Sequence, residues 1–581
     1  MKGGYTTHSA RSSVAITNLE DLRRYDPEVI AAYYRRRPFT VVARALGVSL
    51  VLLYFAFGLW WDRLRGREMA NRMRRATQLR TILTDLGPGP IKIGQALSTR
   101  PDLLPKDYME ELTKLQDRLP PSDNGVAFER IRLELGRPAR DIFAHIDSVP
   151  VAAASLGQVY KARLRTGETV AVKVQRPNLV SRISLDLLLL RWFSLRFGGI
   201  LPLNLGHDLT LIVDEFGTKL FEEIDYEQEA ANCERFAGYF EGDPNVYVPK
   251  IYREYSSRRV LTLEWIDGIK LTDIAGVRAA GLDINSLIRI GVEAGLRQLL
   301  EYGFFHADPH PGNLFALRDG RMAYIDFGMM DQLDEDTKET LVDSLVHLIN
   351  REYLALAEDY VGLGFLAPGT DLRPIVPALE SVLGEIMGQK VGEFNFKTIT
   401  DKFSDLVYEY PFRVPAKFAL IIRSLITQEG IALSLTPDFK IVEVAYPYVA
   451  RRLLTGESPR LRQRLLEVLF KGGRFQWHRL ENLIRIASTG GGNLDLMPAA
   501  QLGLQSLLSS DGRFLREKLV QALTEDDRLH LQEISRLWDL VRPSIRPREL
   551  VTSALANLRE RFTSNGNSQV DAPEQTALAR R

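Results

Sequence analysis

The sequence predicts an α/β fold of two lobes, with helical extensions on both sides. Three stretches indicate this fold. Val170–Lys173 is a short apolar run that ends in a lysine, which is typical of a strand. His306–Asn313 is a polar loop with two prolines, and Asp326 directly follows a second apolar run, Met322–Ile325. Because strand-like runs alternate with amphipathic helical patterns along the chain, we expect a mixed domain of sheet and helices.

Asp308 and Asn313 stand five residues apart, which is the spacing of the catalytic loop of protein kinases. In that loop the aspartate orients the acceptor and the asparagine binds a metal ion. Asp326, followed by Phe327 and Gly328, stands where a kinase places its main magnesium carboxylate. A lone Asp-Phe-Gly occurs by chance, but two elements in the correct order and spacing are specific. The sequence therefore predicts a protein-kinase-like fold, with Asp308 catalytic and with Asn313 and Asp326 binding Mg²⁺.

Lys173 and Glu229 are the predicted partners that hold the phosphates of ATP. A strand of the form Val-Ala-Val-Lys carries the phosphate-binding lysine in kinases. Asp225, Glu229 and Asn232 fall at i, i+4 and i+7, so that one helical face is expected to carry all three. Taken alone, a strand of this sequence is most often an ordinary edge strand, and a glutamate-rich helix most often exposes its acidic face to solvent. The shared order of the motifs favours the kinase interpretation.

Two further stretches predict the nucleotide pocket. A hairpin over residues 151–164 stands in the place of the phosphate-covering loop, with alanines where kinases carry glycines. The same run could instead begin a helix, with Ser155 bonded to its own backbone. Residues 260–268 form an apolar run that ends in a turn, the place of an adenine-binding hinge. The candidate nucleotide-binding residues are Ala152, Ala153, Ala154, Ser155, Val159, Lys173, Glu264 and Ile266.

At these motifs the chain resembles the AarF/UbiB family of atypical kinases, whose members support ubiquinone and other prenyl-lipid quinone metabolism. The shared motifs are the Ala-Ala-Ala-Ser loop, the His-Ala-Asp-Pro-His-Pro-Gly-Asn loop, Lys92-x-Gly94-Gln95, and Glu223-x-Asp225. The resemblance covers residues 20–340 well and the remainder thinly, and it is greatest to the cyanobacterial and plastid branch. It implies ATP and Mg²⁺ as cofactors, a lipid or quinone-pathway acceptor, and partner proteins of prenyl-lipid synthesis.

The Lys-x-Gly-Gln motif predicts a helix, because Pro90 suits a first helical position and Pro101 ends the run. Lys92 and Gln95 would share one face, and Gly94 would let another backbone come close. Without the resemblance, this would be a packing helix with a solvated lysine. The resemblance implies that it lies across the active site, where a peptide substrate would bind.

Glu223 and Asp225 are the acidic partners expected for Lys92. Both cannot lie on one face of a single helix, so the helix of Glu229 is expected to begin near Asp225, with Glu223 at its entrance. The predicted regulatory residues are Lys92, Gly94, Gln95, Glu223 and Asp225.

The features that receive a peptide substrate are missing from the sequence. Ala307 replaces the arginine of regulated kinases, and no Ala-Pro-Glu motif follows Gly328 before a helix begins near Lys338. This favours an ATPase or a kinase for a small, lipid-derived acceptor. Two alternatives remain: a protein kinase for membrane-associated proteins, and a nucleotide-binding scaffold that does not catalyse.

Composition excludes several classes. The 581 residues suffice for two or more domains, and 75 basic against 74 acidic residues give a net charge of +1. The balance and the motifs give no nucleic-acid signature. The single cysteine, Cys233, excludes a disulfide framework, and the sequence has no Cys/His cluster that would predict a structural metal site. The first residues lack the pattern of a signal peptide.

Residues 35–80 are rich in arginine and enclose the uncharged run Ala45–Trp61. The run is slightly short of the ~20 residues of a spanning helix. Arginines on both sides and a pair of tryptophans suit a membrane interface with anionic lipid. We expect association with the cytoplasmic face of a membrane, with a single span around 40–61 as one form of it. The alternative is a buried helix of the soluble fold.

The expected domains follow from these motifs. They are a basic segment with an apolar helix (1–66), the Lys-x-Gly-Gln extension (67–147), an N-lobe (148–267), a C-lobe (268–450), a helical C-terminal extension (451–562) and a disordered polar tail (563–581).

Overall fold

The computed structural model describes residues 18–98, 104–115, 122–198, 209–349 and 351–388, most of 410–455, and parts of 465–485 and 531–542. The chain divides into two units. The first comprises residues 1–340, 360–378 and 396–439 and contains every kinase motif named above. The second comprises residues 341–359, 379–395 and 440–581.

Among the described residues, seven α-helices precede the first sheet. Prolines open three of them, and Asp26 caps the first by accepting hydrogen bonds from the backbone N–H groups of Glu28 and Val29. The Lys-x-Gly-Gln helix begins two residues before the predicted Pro90, and Pro101 lies outside the described residues. The helices are α1 (Pro27–Arg35), α2 (Pro38–Leu64), α3 (Glu68–Leu86), α4 (Pro88–Leu97), α5 (Lys106–Leu112), α6 (Asn124–Leu135) and α7 (Ala139–Ile142).

The first lobe is built on an antiparallel sheet in the order β1-β3-β4-β6, with β2 paired to β3. Tyr160, Val170 and Val172 of this sheet are buried against Ile131 of α6. Lys173 stands opposite Val159 on one side and Leu261 on the other. The first six strands are β1 (Phe143–Ile146), β2 (Ala152–Ala153), β3 (Gly157–Leu164), β4 (Thr169–Gln175), β5 (Val246–Tyr247) and β6 (Val260–Glu264).

Three helices between β4 and β5 complete this lobe: α8 (Leu179–Phe197), α9 (Leu209–Glu223) and α10 (Tyr226–Tyr239). As predicted, α10 begins just after Asp225, and Glu223 ends the helix before it. Asp225 itself adopts an extended backbone and caps α10 through the N–H groups of Glu227 and Gln228. Asp225 is thus the N-cap of α10, and its carbonyl accepts from the Glu229 N–H at 3.0 Å, whereas the side chains of Glu229 and Asn232 contact the backbone of Phe327.

The second lobe brings the catalytic loop beside the Asp-Phe-Gly turn. Strands β8 and β11 pair so that His306 stands opposite Met330, and the N–H of Ala307 donates to the carbonyl of Met329. A second sheet has the order β5-β10-β9-β7. The elements are β7 (Ile269–Lys270), α11 (Ile274–Ala279), α12 (Ile284–Arg297), β8 (Phe304–His306), β9 (Leu314–Ala316), β10 (Met322–Tyr324) and β11 (Met330–Gln332).

The rest of the described chain is mainly helical. Helices α13 (Glu335–Ile349), α14 (Tyr353–Gly362) and α15 (Ile375–Gly388) follow β11, and α16 (Ala416–Leu435) packs on α12 in the first unit. The second unit contains α17 (Ile441–Thr455), β12 (Phe470–Lys471), β13 (Arg474–Phe475) and α18 (Leu531–Val541). Its described core is formed by Ala450, Leu454, Leu483 and Ile484. The predicted polar tail lies outside the described residues.

Candidate active site

Lys173 contacts two carboxylates at the centre of the first lobe. Its Nζ atom forms an ion pair with Oε1 of Glu229 and lies 3.6 Å from Oδ1 of Asp326. The β4 strand supplies the lysine, and the first turns of α10 supply the glutamate. The contact between Lys173 and Glu229 that the sequence predicts is thus present.

Burial and charge act differently on these three groups. Burial disfavours the ammonium group of Lys173, but Asp326 and Glu229 raise its pKa above the ordinary value. Burial raises the pKa of Glu229 to about 7, with Asp326 adding to the effect and Lys173 opposing it. Burial also acts to raise the pKa of Asp326, but Lys173 and the Gly328 N–H lower it below the ordinary value. Asp326 is therefore the carboxylate that stays ionised, while Glu229 is the weaker acid of the two.

The Asp-Phe-Gly turn is attached to α10 by its backbone. The side-chain amide of Asn232 donates to the carbonyl of Phe327 at 3.0 Å, and Oε1 of Glu229 accepts from the Phe327 N–H at 3.4 Å. The buried ring of Phe327 packs against Phe236 with ring centroids 5.2 Å apart. Consequently α10 fixes both the lysine and the turn that carries Asp326.

Asn313 and Asp326 are in direct contact, with Nδ2 of Asn313 donating to Oδ2 of Asp326 at 2.8 Å. A carboxylate beside an amide oxygen is a donor set that suits Mg²⁺, which takes few protein ligands and completes its shell with water and phosphate oxygens. Among the described residues there is no group of three or more His, Cys, Asp or Glu side chains that could hold a metal ion by itself. The pair fits a magnesium ion that arrives with a nucleotide.

His306 joins the catalytic loop to the Asp-Phe-Gly turn. The N–H of Asp308 donates to Nδ1 of His306 at 3.1 Å, so Nε2 carries the proton and donates to the carbonyl of Asp326 at 2.9 Å. Burial lowers the pKa of His306, which keeps the ring neutral in this arrangement. The two predicted functional aspartates are thereby held by one imidazole.

Arg423 contacts the predicted catalytic aspartate and was not found from the sequence. One of its terminal guanidinium nitrogens donates to Oδ2 of Asp308 at 2.5 Å. The arginine comes from α16, 115 residues after the catalytic loop. The only signal in the sequence is a single charge between the apolar residues 418–422 and 425–426.

The alanine-rich loop is a tight hairpin, so the interpretation as a helix start is wrong. Ala152 stands opposite Val159, and the N–H of Ala154 donates to the carbonyl of Gly157 at 2.8 Å. The guanidinium of Arg176 donates to the carbonyl of Ala154 at 2.8 Å. Ser155 is buried. The loop is therefore held by its own strand pairing and by Arg176, which directly follows β4.

The predicted hinge residues lie at the end of β6 and just after it, with Glu264 as the last residue of the strand. The carboxylate of Glu264 accepts hydrogen bonds from the Tyr247 hydroxyl at 2.8 and 3.0 Å and from the Lys250 N–H at 3.1 Å. These contacts engage its side chain, and its N–H donates to the carbonyl of Lys250 at 2.8 Å, so neither group is available for an adenine. Ile266 lies in the connection between β6 and β7.

Lys92 pairs with Glu223 beside the Asp-Phe-Gly turn. The Lys92 Nζ and Glu223 Oε1 atoms are 2.5 Å apart, and the side chains are only 8% and 13% exposed. A Cβ added to Gly328 would lie 3.8 Å from Cγ of Glu223, which places this pair next to the turn. Asp225, the other expected partner, instead lies 3.7 Å from Nε of Arg258.

Gly94 and Gln95 pack α4 against its neighbours. A Cβ at Gly94 would overlap the Cδ1 atoms of Leu115 and Leu83. The sequence suggested that this glycine lets another backbone come close, but the groups that approach it are side chains. Nε2 of Gln95 donates to the carbonyl of Leu115 at 3.2 Å. The motif thus holds α4 in place on one side and presents Lys92 on the other.

Comparison with known proteins gives concordant results. Residues 114–360 match the ABC1 atypical kinase-like domain, and residues 379–440 match the UbiB helical domain. The chain is 62% identical over 554 residues to the uncharacterized protein slr1919 of Synechocystis, covering 95% of this chain and 98% of that one. It is 47% identical over 545 residues to the chloroplastic protein Activity of BC1 complex kinase 1 of Arabidopsis thaliana, covering 90% and 79%.

Among solved structures, Rv3197 of Mycobacterium tuberculosis in complex with erythromycin is 28% identical, with a TM-score of 0.44, and the match covers 66% of this chain and 97% of that one. The sequence relatives and the two family domains decide the assignment. The chain has a two-lobed protein-kinase-like fold with helical extensions, and it belongs to the cyanobacterial and plastid branch of the ABC1/UbiB family of atypical kinase-like proteins.

Proposed function

We propose that this protein is an atypical kinase or ATPase that binds Mg-ATP and serves prenyl-lipid or quinone metabolism, either by phosphorylating a small or lipid-derived acceptor or by coupling ATP hydrolysis to lipid handling. The observation that carries this proposal is the continuous network from Glu229 through Lys173 and Asp326 to Asn313. A scaffold without catalysis would have no need for both an ionised metal carboxylate and an oriented Asp308.

Each residue has a distinct task in this proposal. Lys173, fixed by Glu229, neutralises phosphate oxygens, and the backbone of the Ala152–Ser155 hairpin covers them. Asn313 and Asp326 hold Mg²⁺, which supplies charge neutralisation on the phosphates when it is bound. Asp308 accepts the proton of an acceptor hydroxyl or of a water molecule. The carbonyl of Glu264 and the backbone of Ile266 receive the adenine.

The position of α4 supports a small acceptor. The ion pair between Lys92 and Glu223 stands beside the Asp-Phe-Gly turn and is nearly buried, so opening it would expose two charges that lose their partners. A peptide needs an open surface at this place. The closed pair therefore favours a small or lipid-derived acceptor. The alternative function, a protein kinase, would need a protein substrate at this place.

Helix α2 supports membrane association. It is long and apolar enough to cross a bilayer, and only 6% of its most apolar window is buried within the protein. The residues that are least exposed form a narrow stripe, namely Val41, Arg44, Ala45, Val48, Phe55, Gly58 and Asp62. The remaining circumference is an apolar surface that needs a partner.

We propose further that α2 lies on the membrane rather than across it. Helix α3 runs antiparallel beside it, since Arg75 contacts Asp62 and the carbonyl of Gly58 at one end, and Arg44 contacts the carbonyl of Leu86 at the other. Because α3 carries many charges, the pair cannot enter hydrocarbon together without a large cost. An in-plane α2, with arginines near anionic headgroups, avoids that cost. The cytoplasmic face of a membrane is the expected location.

The direct test is release of phosphate from Mg-ATP by the purified full-length chain, with and without prenyl-quinone precursors and vesicles of anionic lipid. We expect turnover that rises with lipid, together with label on the lipid fraction if the protein is a kinase for lipid. Asp308→Asn should abolish turnover. Label mainly on added membrane proteins would favour the protein-kinase alternative, and nucleotide binding without any turnover would favour the scaffold.

A further inference from the structure

We infer that Arg423 of the helical domain is a positioning residue for Asp308: it holds one oxygen of the carboxylate so that the other oxygen faces the acceptor. This inference rests on the proposed role of Asp308. It makes α16 part of the active centre, because the family's helical domain (residues 379–440) supplies the arginine.

The contact has the geometry of a strong charge-assisted hydrogen bond. The donor–acceptor distance is 2.5 Å, and the Arg423 and Asp308 side chains are 13% and 23% exposed. Within the part of the chain that the structure describes, Oδ1 of Asp308 and the other guanidinium nitrogens of Arg423 make no further hydrogen bond. One carboxylate oxygen is therefore committed to Arg423 and the other is available for chemistry.

The catalytic loop cannot supply this cation itself. His306–Asn313 contains neither lysine nor arginine. His306 is neutral because Nδ1 accepts from Asp308, and Nδ1 of His310 accepts from the Gly312 N–H at 3.0 Å. The terminal torsion of an aspartate is broad, so a carboxylate without a second anchor would rotate away from the acceptor. Arg423 is the anchor that limits this rotation.

Packing holds α16 in place independently of Arg423. Phe418, Ile421 and Ser424 are buried, and a Cβ at Gly295 of α12 would overlap the side chain of Gln428. Near the end of the helix, the hydroxyl of Thr436 donates to Asn285 at 3.3 Å. Removing the charge of Arg423 should therefore leave the helix in position while releasing Asp308.

The consequence is a specific kinetic signature. Lys173, Asn313 and Asp326 do not contact Arg423, so the affinity for Mg-ATP should not depend on it. Orientation of Asp308 matters only in the chemical step, and a displacement of about 1 Å can cost about 100-fold in rate. Arg423 should thus affect kcat and leave KM for Mg-ATP unchanged.

The experiment compares phosphate release by full-length wild type, Arg423→Gln, Arg423→Lys and Arg423→Ala. The matched control is Lys417→Gln, which removes a cation from the same helix, where it lies 3.5 Å from Asp334. We expect Arg423→Gln to lose about 100-fold in kcat at unchanged KM and melting temperature. Arg423→Lys should retain part of the rate, free guanidinium should restore part of it to Arg423→Ala, and Lys417→Gln should match wild type.

Three outcomes would overturn the inference while wild type remains active: a kcat for Arg423→Gln within threefold of wild type, a raised kcat, or a loss that is accompanied by equal losses of Mg-ATP binding and melting temperature. A wild-type protein that binds Mg-ATP but neither releases phosphate nor labels the lipid fraction would instead refute the proposed function, and the positioning role with it.

Discussion

At Lys173 two carboxylates share one ammonium group, and burial turns them into different acids. Glu229 is buried, so its charge is disfavoured, whereas Asp326 is held ionised by Lys173 and by the hydrogen bond from the Gly328 N–H. The protein thereby keeps Asp326 ionised at the proposed metal position and leaves Glu229, the other partner of the lysine, as the weaker acid. This division gives the site a dependence on pH that can be measured without a substrate.

The first prediction concerns Glu229. Its pKa is raised in the folded protein to about 7 from an ordinary 4.5, so the folded state binds the proton more tightly than the unfolded state. The stabilisation from this group is complete below the unfolded value and is lost as pH rises through about 7. Glu229→Gln should therefore lack this fall in the free energy of unfolding.

Urea unfolding of the nucleotide-free protein at a series of pH values between about 5 and 8 checks this prediction. Glu222→Gln, at a half-exposed position paired with Lys219, is the control and should follow wild type. Parallel curves for wild type and Glu229→Gln would show that Glu229 keeps its ordinary acidity.

The motif residues were predictable at this scale and Arg423 was not. Lys173, Glu229, Asn313 and Asp326 could be placed together because phosphoryl transfer fixes their order and spacing within short motifs. The contact between Arg423 and Asp308 arises from helix packing between distant segments, which leaves no local pattern in the sequence.

Helix α4 is fixed by both of its faces. Leu83 and Leu115 press on Gly94, while Lys92 reaches Glu223 beside the Asp-Phe-Gly turn. The sequence predicted this helix and the partner of its lysine. It placed the start two residues late because Pro88 also suits a first helical position, and Gly87, with φ of +105°, breaks the chain just before it.

The second prediction is that Lys92→Ala loosens α4 and raises autophosphorylation, because the closed pair no longer excludes the protein's own peptide segments. Gly94→Gln should do the same by colliding with Leu115. Gly238→Gln is the control, since a Cβ at Gly238 has open space around it. Labelled ATP scored for label on the protein, together with protease sensitivity of the extension, measures the effect. Loss of all activity at Lys92→Ala without either gain would contradict a lid.

The third prediction concerns the joint between α2, α4 and α8. Asp186 is buried, burial raises its pKa, and the guanidinium of Arg44 binds both of its oxygens at 2.8 and 3.1 Å. Arg44→Leu leaves a buried carboxylate unpaired and should cost about 3–5 kcal/mol in the free energy of unfolding. Arg44→Leu combined with Asp186→Leu should recover much of it.

Urea unfolding checks the joint, with Arg132→Leu at the half-exposed pair with Glu129 as the control; that change should stay below about 1 kcal/mol. An Arg44→Leu variant as stable as the control would mean that the joint does not hold α2 to the domain.

For the whole molecule, the proposed membrane association depends on helix α2. In the sequence, Arg44 and Asp62 mark the ends of the uncharged run. Helix α2 continues past both of them, over Pro38–Leu64, because each charge is paired. Sequence alone could not reveal that α3 lies beside α2, and this neighbour is what favours an in-plane orientation. The extended helix is therefore longer than predicted and yet less suited to span.

The fourth prediction is that four substitutions to serine on the exposed face of α2, at Leu46, Leu50, Leu53 and Phe57, release the protein from anionic liposomes. Wild-type binding should weaken with salt, because arginine contacts with the headgroups are screened. Trp192→Ser with Leu195→Ser, on the exposed face of α8, is the control and should still sediment. Full sedimentation of the α2 variant would place the anchor elsewhere in the chain.

Substitutions suit this test better than removal of residues 1–66. Leu19, Ile30 and Tyr34 belong to a buried cluster with residues of α8 and α9, so a truncation would expose the core as well as remove α2.

The central claim is that Mg-ATP binds at the network of Lys173, Asn313 and Asp326, and a thermal-shift titration tests it most directly. Above its Kd, Mg-ATP should raise the melting temperature of wild type in proportion to the logarithm of the Mg-ATP concentration. It should raise the melting temperature of Asp326→Asn far less, because this variant cannot hold the metal. Asp319→Asn, at an exposed aspartate in the turn between β9 and β10, should behave as wild type. Equal stabilisation of wild type and Asp326→Asn by Mg-ATP would contradict the claim.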